Sequence, residues 1–196
     1  MSDIRFRPWI GSDYDKKLID DEKILILGES HYGDRGAEYE SFTIDVINEW
    51  AIIKRHAFFT KIAKSVLRMP REQYLSDDLR LRFWNSVSFY NFVQEYVGEG
   101  PRCRPSCEQW ESSKDAFIEV VERLQPDVCV VFGYKLWANL PSPVSEIRSD
   151  GFCTYIYDSC DGKRMLAGCV AHPSGGLRYS ETHPRIEALI KMAKSD

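Results

Sequence analysis

Two stretches of the chain concentrate side chains able to do chemistry. The first reads Gly28-Glu29-Ser30-His31-Tyr32-Gly33-Asp34, with an acid, a hydroxyl, an imidazole and a phenol between two glycines. Glycine lets backbone approach a ligand closely because no Cβ stands in the way. A plain turn is built from Gly, Pro, Asn, Asp and Ser, so four functional side chains in a row exceed what a turn requires. The second stretch reads Ala171-His172-Pro173-Ser174-Gly175-Gly176-Leu177-Arg178. His172 directly follows an apolar run. It is either a strand-end imidazole facing a ligand or a core histidine whose ring nitrogens are satisfied by backbone. Asn91 lies inside the apolar run 87–93. A buried amide needs partners, so Asn91 either satisfies a turn or reads the donor–acceptor edge of a ligand.

These residue types support two kinds of hydrolysis. An imidazole N–H aimed at an oxygen stabilises a departing anion, and a nearby carboxylate orients water and offsets positive charge. Alternatively, Ser30 is a nucleophile, His183 its base and Glu181 the group that orients the base. Gly28-Glu29-Ser30 resembles the Gly-Asp-Ser loop of serine esterases. Those esterases commonly place the acid three residues before the histidine, whereas Glu181 precedes His183 by two. Gly28-Glu29-Ser30-His31 is also similar to loops of erythromycin-esterase-like proteins, which are much longer chains. A third possibility is a module that binds without turnover.

The elements that must position these residues follow from hydrophobic patterning. Apolar runs at 23–28, 87–93, 126–133, 152–157 and 165–171 predict five strands. Helical spacing predicts helices over 43–55, 58–67, 112–124, 134–140 and 184–193, the last opening on a first-turn proline, Pro184. Strands alternating with helices predict a parallel sheet covered on both faces. Ligands on such sheets lie at the carboxyl ends of strands, which directs attention to the loops after Gly28, Asn91, Gly133 and Ala171.

The composition sets limits. The 196 residues are 43% hydrophobic and 29% charged, which is globular, and the length fits one domain spanning 1–196. The longest apolar runs reach about five residues where a membrane helix needs ~20. The charged N-terminus lacks a secretory apolar region, so a cytoplasmic location and no membrane partner are expected. A net charge of −4 weighs against tight non-specific DNA binding, which rests on many Lys and Arg contacts to phosphate. Reduced thiols are expected for the six cysteines, with Cys129, Cys153 and Cys169 in core positions. Cys103 and Cys107 have zinc-ligand spacing but no second pair answers them, so no metal or cofactor is expected.

The order of loops resembles the uracil-DNA glycosylase superfamily. Gly28-Glu29-Ser30-His31-Tyr32 stands where those proteins carry a water-activating loop such as Gly-Gln-Asp-Pro-Tyr-His or Gly-Glu-Ala-Pro-Gly. Asn91 matches the strand-end asparagine that reads the base edge. Arg102-Cys103-Arg104-Pro105, the helix through Leu124 and residues 126–133 match the segment that follows. His172-Pro173-Ser174 matches a His-Pro-Ser motif, and Leu177-Arg178 falls near an intercalating loop. The resemblance covers roughly residues 20–190. Ser30 departs from it, standing where one branch has its water-activating Asp. Glu29 matches the acid of the Gly-Glu-Ala-Pro-Gly branch, but the cysteines do not reproduce that branch's four-cysteine iron–sulfur pattern. His31 replaces the loop proline.

The resemblance implies a three-layer α/β/α fold around a mostly parallel sheet of four to five strands, and hydrolysis of an N-glycosidic bond of a nucleobase in DNA or a nucleotide. It implies a catalytic set of Glu29, His172 and Ser30, with the His172 N–H stabilising the departing base and the Glu29 carboxylate orienting water beside the sugar. Phe42 would stack on the base, with Tyr32 as second choice, and Asn91 would pair with its edge. Leu177 would fill the gap left by a flipped base, and His31, Ser174 and Arg178 would complete the substrate surface of a monomer. Because fold does not fix function, a non-catalytic nucleobase-binding or nucleic-acid-binding module of the same fold and a Ser30 esterase stand as alternatives. On the glycosylase reading, Glu29, Asn91 and His172 must converge at the carboxyl edge of one sheet.

Overall fold

The computed structural model describes residues 3–100, 103–149 and 151–195. Arg102, part of the segment named above, lies outside the described residues. Side chains that alternate along a strand sort to two sides of a sheet, and here they build two cores. Ile24 and Ile26 of β2 (Ile24–Gly28), Val87 and Phe89 of β3 (Val87–Asn91), and Val128, Val130 and Phe132 of β4 (Val128–Phe132) join one core, with Leu166 and Val170 of β7 (Arg164–Val170). Leu25, Leu27, Tyr90, Cys129, Val131, Met165 and Ala167 join the other.

Helices cover both faces. The first core takes side chains from α2 (Ala57–Val66), α3 (Asp77–Ser86) and α7 (Tyr179–Ala193). It also takes Val46 of α1 (Phe42–Val46) and Ile47 and Ala51 of a π-helical stretch, Ile47–Ile53. The second core takes side chains from α4 (Cys107–Ser112), α5 (Lys114–Leu124) and α6 (Tyr134–Trp137).

With β1 (Trp9–Ile10), β5 (Ser145–Ser149) and β6 (Phe152–Asp158), the strands among the described residues form one mixed sheet of seven, ordered β1-β3-β2-β4-β7-β6-β5. This corrects the expectation of a four- to five-stranded, mostly parallel sheet. The run β3-β2-β4-β7 is parallel, while β1, β6 and β5 pair antiparallel on the flanks. The strand predicted over 152–157 therefore runs opposite to its neighbour. Only residues 159–163 join β6 to β7, and so short a link permits a hairpin but no parallel crossover.

Several helical expectations also shift. The pattern over 43–55 is not one α-helix: it widens into π geometry, where Lys54 N–H donates five residues back to Glu49 O at 2.8 Å. The mixed spacing of Ile44, Val46, Ile47, Trp50 and Ile53 reflects that change of period. Residues 112–124 break at Ser113 between α4 and α5. α7 begins at Tyr179, so Pro184 lies inside it rather than in its first turn. Cys129 is buried, but Cys153 and Cys169 are only half-buried. Among the described residues no helix is long and apolar enough to cross a membrane.

Candidate functional site

The chain leaves β2 for β3 through helices on one face, then passes to β4 on the other side of β2 through helices on the opposite face. That reversal places a topological switch point at the carboxyl end of β2, where open α/β sheets hold ligands. The loop beginning Gly28-Glu29-Ser30-His31 starts there. It is fastened to the segment after β3: Phe92 N–H donates to Gly28 O (2.9 Å), Val93 N–H to Glu29 O (3.0 Å), Val97 N–H to His31 O (3.1 Å), and Gly33 N–H to Gly98 O (2.9 Å). A loop held at four points keeps its side chains preorganised.

Register decides how Asn91 is held. Gly28 and Asn91 are partners across β2 and β3, and both follow the parity of the first core. The Asn91 carboxamide lies over Gly28, so a Cβ there would meet Asn91 Oδ1 at 2.1 Å. Gly28 is thus required by close approach rather than by a turn. Asn91 Nδ2 donates to Ser30 O at 3.1 Å and lies 3.1 Å from His31 Nδ1. His31 Nε2 is 2.8 Å from Thr43 Oγ1. Asn91 Nδ2 is also 3.3 Å from His31 Nε2, nearly as close as to Nδ1, so it sits against the face of the ring rather than in line with one lone pair. Burial pushes the His31 pKa down to about 3, which keeps it neutral.

His172 follows β7 with the same parity as Val170 and is half-buried. Its Nδ1 accepts from Ser174 N–H at 3.2 Å, so the neutral ring carries its proton on Nε2. Its ring packs against Phe58 with centroids 5.4 Å apart. Lys61 Nζ donates to Pro173 O at 2.8 Å, anchoring the loop to α2. Burial lowers the His172 pKa below the usual imidazole value, against an opposing pull from the Glu29 carboxylate and with help from Arg104 and Lys61. Glu29 and His172, on loops of β2 and β7 with β4 between them, thus lie within electrostatic reach. Arg104 Nη1 pairs with Glu29 Oε1 at 3.2 Å; the Glu29 side chain is 11% exposed and that of Arg104 62%.

The structure therefore brings Glu29, Asn91 and His172 to one edge of the parallel strands and redistributes other candidates. His31 does not line the surface; it is buried beneath Asn91, edge-on to Phe6 and Phe42 at centroid distances of 5.0 and 4.8 Å. Phe42 packs against Tyr39 and Tyr96 as well, inside that aromatic cluster, whereas the ring beside His172 is Phe58. Tyr32 is exposed and feels Arg104, Glu29 and Cys103. Ser30 contributes its carbonyl to Asn91, and Ser174 its N–H to His172.

Leu177 is half-buried against the first core rather than projecting. Arg178 caps α7 and pairs with Glu181 at 3.0 Å. That pairing occupies the proposed orienter of the esterase reading. Its proposed base, His183, stacks near Tyr179 (5.2 Å) in the field of Lys64 and Arg68. Glu181 is thus engaged by Arg178, and the buried His183 Nε2 has no hydrogen-bond partner among the described residues.

Sequence reasoning missed Arg104, Phe58, Lys61 and Thr43. Arg104 lay inside the quoted segment after Asn91, but no spacing rule ties an arginine to an acid 75 residues earlier. Phe58 and Lys61 read only as one turn of a helix. A cleft of about 450 Å³ lies elsewhere, between α7 and the β5–β6 hairpin, lined by Phe152, Leu189 and Met192 among others. Concavity alone favours it. The polar groups with perturbed ionisation and matched hydrogen bonds converge instead at the strand ends, which is where chemistry is expected. No protein-family model matches the chain, and no curated protein matches it.

Proposed function

We propose that the chain is a divergent member of the uracil-DNA glycosylase superfamily that hydrolyses the N-glycosidic bond of a nucleobase in DNA or a nucleotide. The observation that carries this reading is the state of His172. A neutral imidazole, fixed by the Ser174 N–H on Nδ1, offers Nε2–H as a preorganised donor. As the C1′–N bond breaks, its electron pair goes to the base, and the Nε2–H hydrogen bond stabilises the resulting anion at a carbonyl oxygen. Glu29, held by Arg104, offsets charge on the oxocarbenium-like sugar. It accepts a proton from the water that adds to C1′. Asn91 addresses the base edge, and Phe58 supplies an apolar ring beside His172.

Ser30 favours a second reading, a nucleobase-binding module without turnover, because a hydroxyl stands where one branch of the family carries its water-activating acid. Single-turnover assays for free base, on single- and double-stranded oligonucleotides and nucleotides carrying deaminated bases, test the choice. Release of base that is lost in His172→Ala is the expected result. Base binding with no release from any substrate would overturn hydrolysis in favour of the binding module.

A further inference from the structure

β5 is paired with β6 on one side and, among the described residues, ends the sheet on the other. All of its residues, Ser145-Glu146-Ile147-Arg148-Ser149, are exposed. Edge strands template further strands, and proteins commonly blunt them with lysine, proline or extreme shortness. β5 contains neither Lys nor Pro, and its length is ordinary for a strand. Its register with β6 sorts its side chains to two faces. Ile147 stands opposite Thr154, which stands opposite Gly168 under Leu189, so this is the face that carries α7. Ile147 also borders the cleft lined by Phe152, Leu189 and Met192. Glu146 and Arg148 stand opposite Tyr155 and Cys153 on the other face. There Arg148 Nε donates to Glu146 Oε1 at 3.0 Å, with both side chains largely in solvent.

We propose that β5 is a self-association edge: two copies of the chain join their sheets by antiparallel β5–β5 pairing centred on Ile147, with Glu146 of each copy opposite Arg148 of the other. A two-fold axis normal to the sheet makes the contact isologous, so one surface must complement itself. Centred on Ile147, this strand does so. Each carboxylate meets a guanidinium, the two Ile147 side chains meet on the α7 face, and Ser145 faces Ser149. The Glu146–Arg148 pair within each strand becomes part of one row of four alternating charges. Opposite charges facing each other stabilise paired strands, and like charges destabilise them. Centring the pair on Glu146 or on Arg148 sets like charges together, and a one-residue slip turns the faces of the two sheets opposite ways. Charge complementarity to a second copy therefore selects a single register. This partner differs from the monomer that the family resemblance implies. The edge lies two strands beyond β7, so the proposal does not depend on the reading of the base site.

The test is sedimentation velocity of the intact protein from about 5 to 500 µM, a range suited to the weak dimer that a contact smaller than a standard interface gives. The wild type should pass from monomer to dimer across it. Glu146→Arg and Arg148→Glu each turn both attractive cross-strand pairs into repulsive ones. Both positions are exposed, so the fold should be unaffected while dimerisation weakens about tenfold or more. The double variant Glu146→Arg with Arg148→Glu restores both pairs with their signs exchanged and should dimerise like the wild type. The two single variants, monomeric alone, should form a heterodimer when mixed, because each then supplies the charges the other lacks. A wild type that stays monomeric throughout the range overturns the proposal. So does a dimer that survives Glu146→Arg, or a pair of single variants that stay apart on mixing. None of these outcomes bears on base release, which is measured separately.

Discussion

At the scale of single residues, the glycosylase reading makes His172 the decisive group and Ser30 a neighbour. Removing one preorganised donor costs about 3 kcal/mol of barrier, so His172→Ala should lower single-turnover base release by roughly a hundredfold, and Ser30→Ala far less. An esterase would reverse that order on ester substrates, and a dominant Ser30 effect would refute the reading. The pH profile adds a second check. His172 acts while neutral, since protonated Nδ1 cannot accept the Ser174 N–H. Burial lowers its pKa below the ordinary imidazole value of 6.5. The neutral form therefore persists below that pH, and activity should stay level from pH 8 (roughly) through 6.5 and fall only in more acid solution. A decline centred above 6.5 would show that another group controls the rate.

At the scale of elements, the parallel strands place the site at one end and an ionic knot at the other. Asp127, just before β4, accepts from Lys23 N–H at 2.7 Å and pairs with Lys17 and Lys163 at 2.8 and 3.0 Å. Burial opposes its charge, but those contacts win and hold the carboxyl down at about 2. Asp127→Ala would leave the half-buried Lys23 N–H and two ammonium groups without their acceptor. It should cost about 2–4 kcal/mol in chemical denaturation without altering base affinity at the far edge. Gly28→Ala tests the opposite end. Its Cβ would fall 2.1 Å from Asn91 Oδ1, so the carboxamide must move. Base affinity should drop about as far as in Asn91→Ala, roughly tenfold. Unchanged affinity in Gly28→Ala would mean that the carboxamide does not lie over Gly28 when ligand binds.

For the whole molecule, the buried His31 links stability to pH. Its pKa is near 6.5 in the unfolded chain and about 3 in the folded one. Between those values the unfolded chain binds a proton that the native state refuses. The contribution is therefore complete above about pH 6.5 and is lost progressively as pH falls toward 3. The loss amounts to roughly 3–5 kcal/mol for such a shift. Urea midpoints measured from pH 7 (about) downward should fall across that window in the wild type. His31→Phe, which keeps an aromatic ring in the Phe6–Phe42–Tyr96 cluster, should flatten that part of the curve. Equal slopes in the two proteins would assign the acid sensitivity to other groups.

What the sequence determined by itself were the features written in short-range pattern. Short continuous apolar runs marked the four parallel strands, and the two-residue period of any strand sorts their side chains to opposite faces whatever the fold around them. The chemistry-bearing loops after Gly28 and Val170 were legible for the same reason, each following directly on such a run. The helix α3 was also signalled, by Ser76 capping Leu79 N–H ahead of Asp77 and Asp78, although its weak apolar stripe hid it. The exposed strand β5, Ser-Glu-Ile-Arg-Ser, carried no such pattern and emerges only from pairing with β6. Tertiary structure alone decided which groups meet. It set Arg104 on Glu29 and Phe58 on His172, and it placed His31 under Asn91 instead of on the surface. Each of those contacts joins segments distant in sequence, and their geometry follows from strand order and register, which local periodicity does not encode.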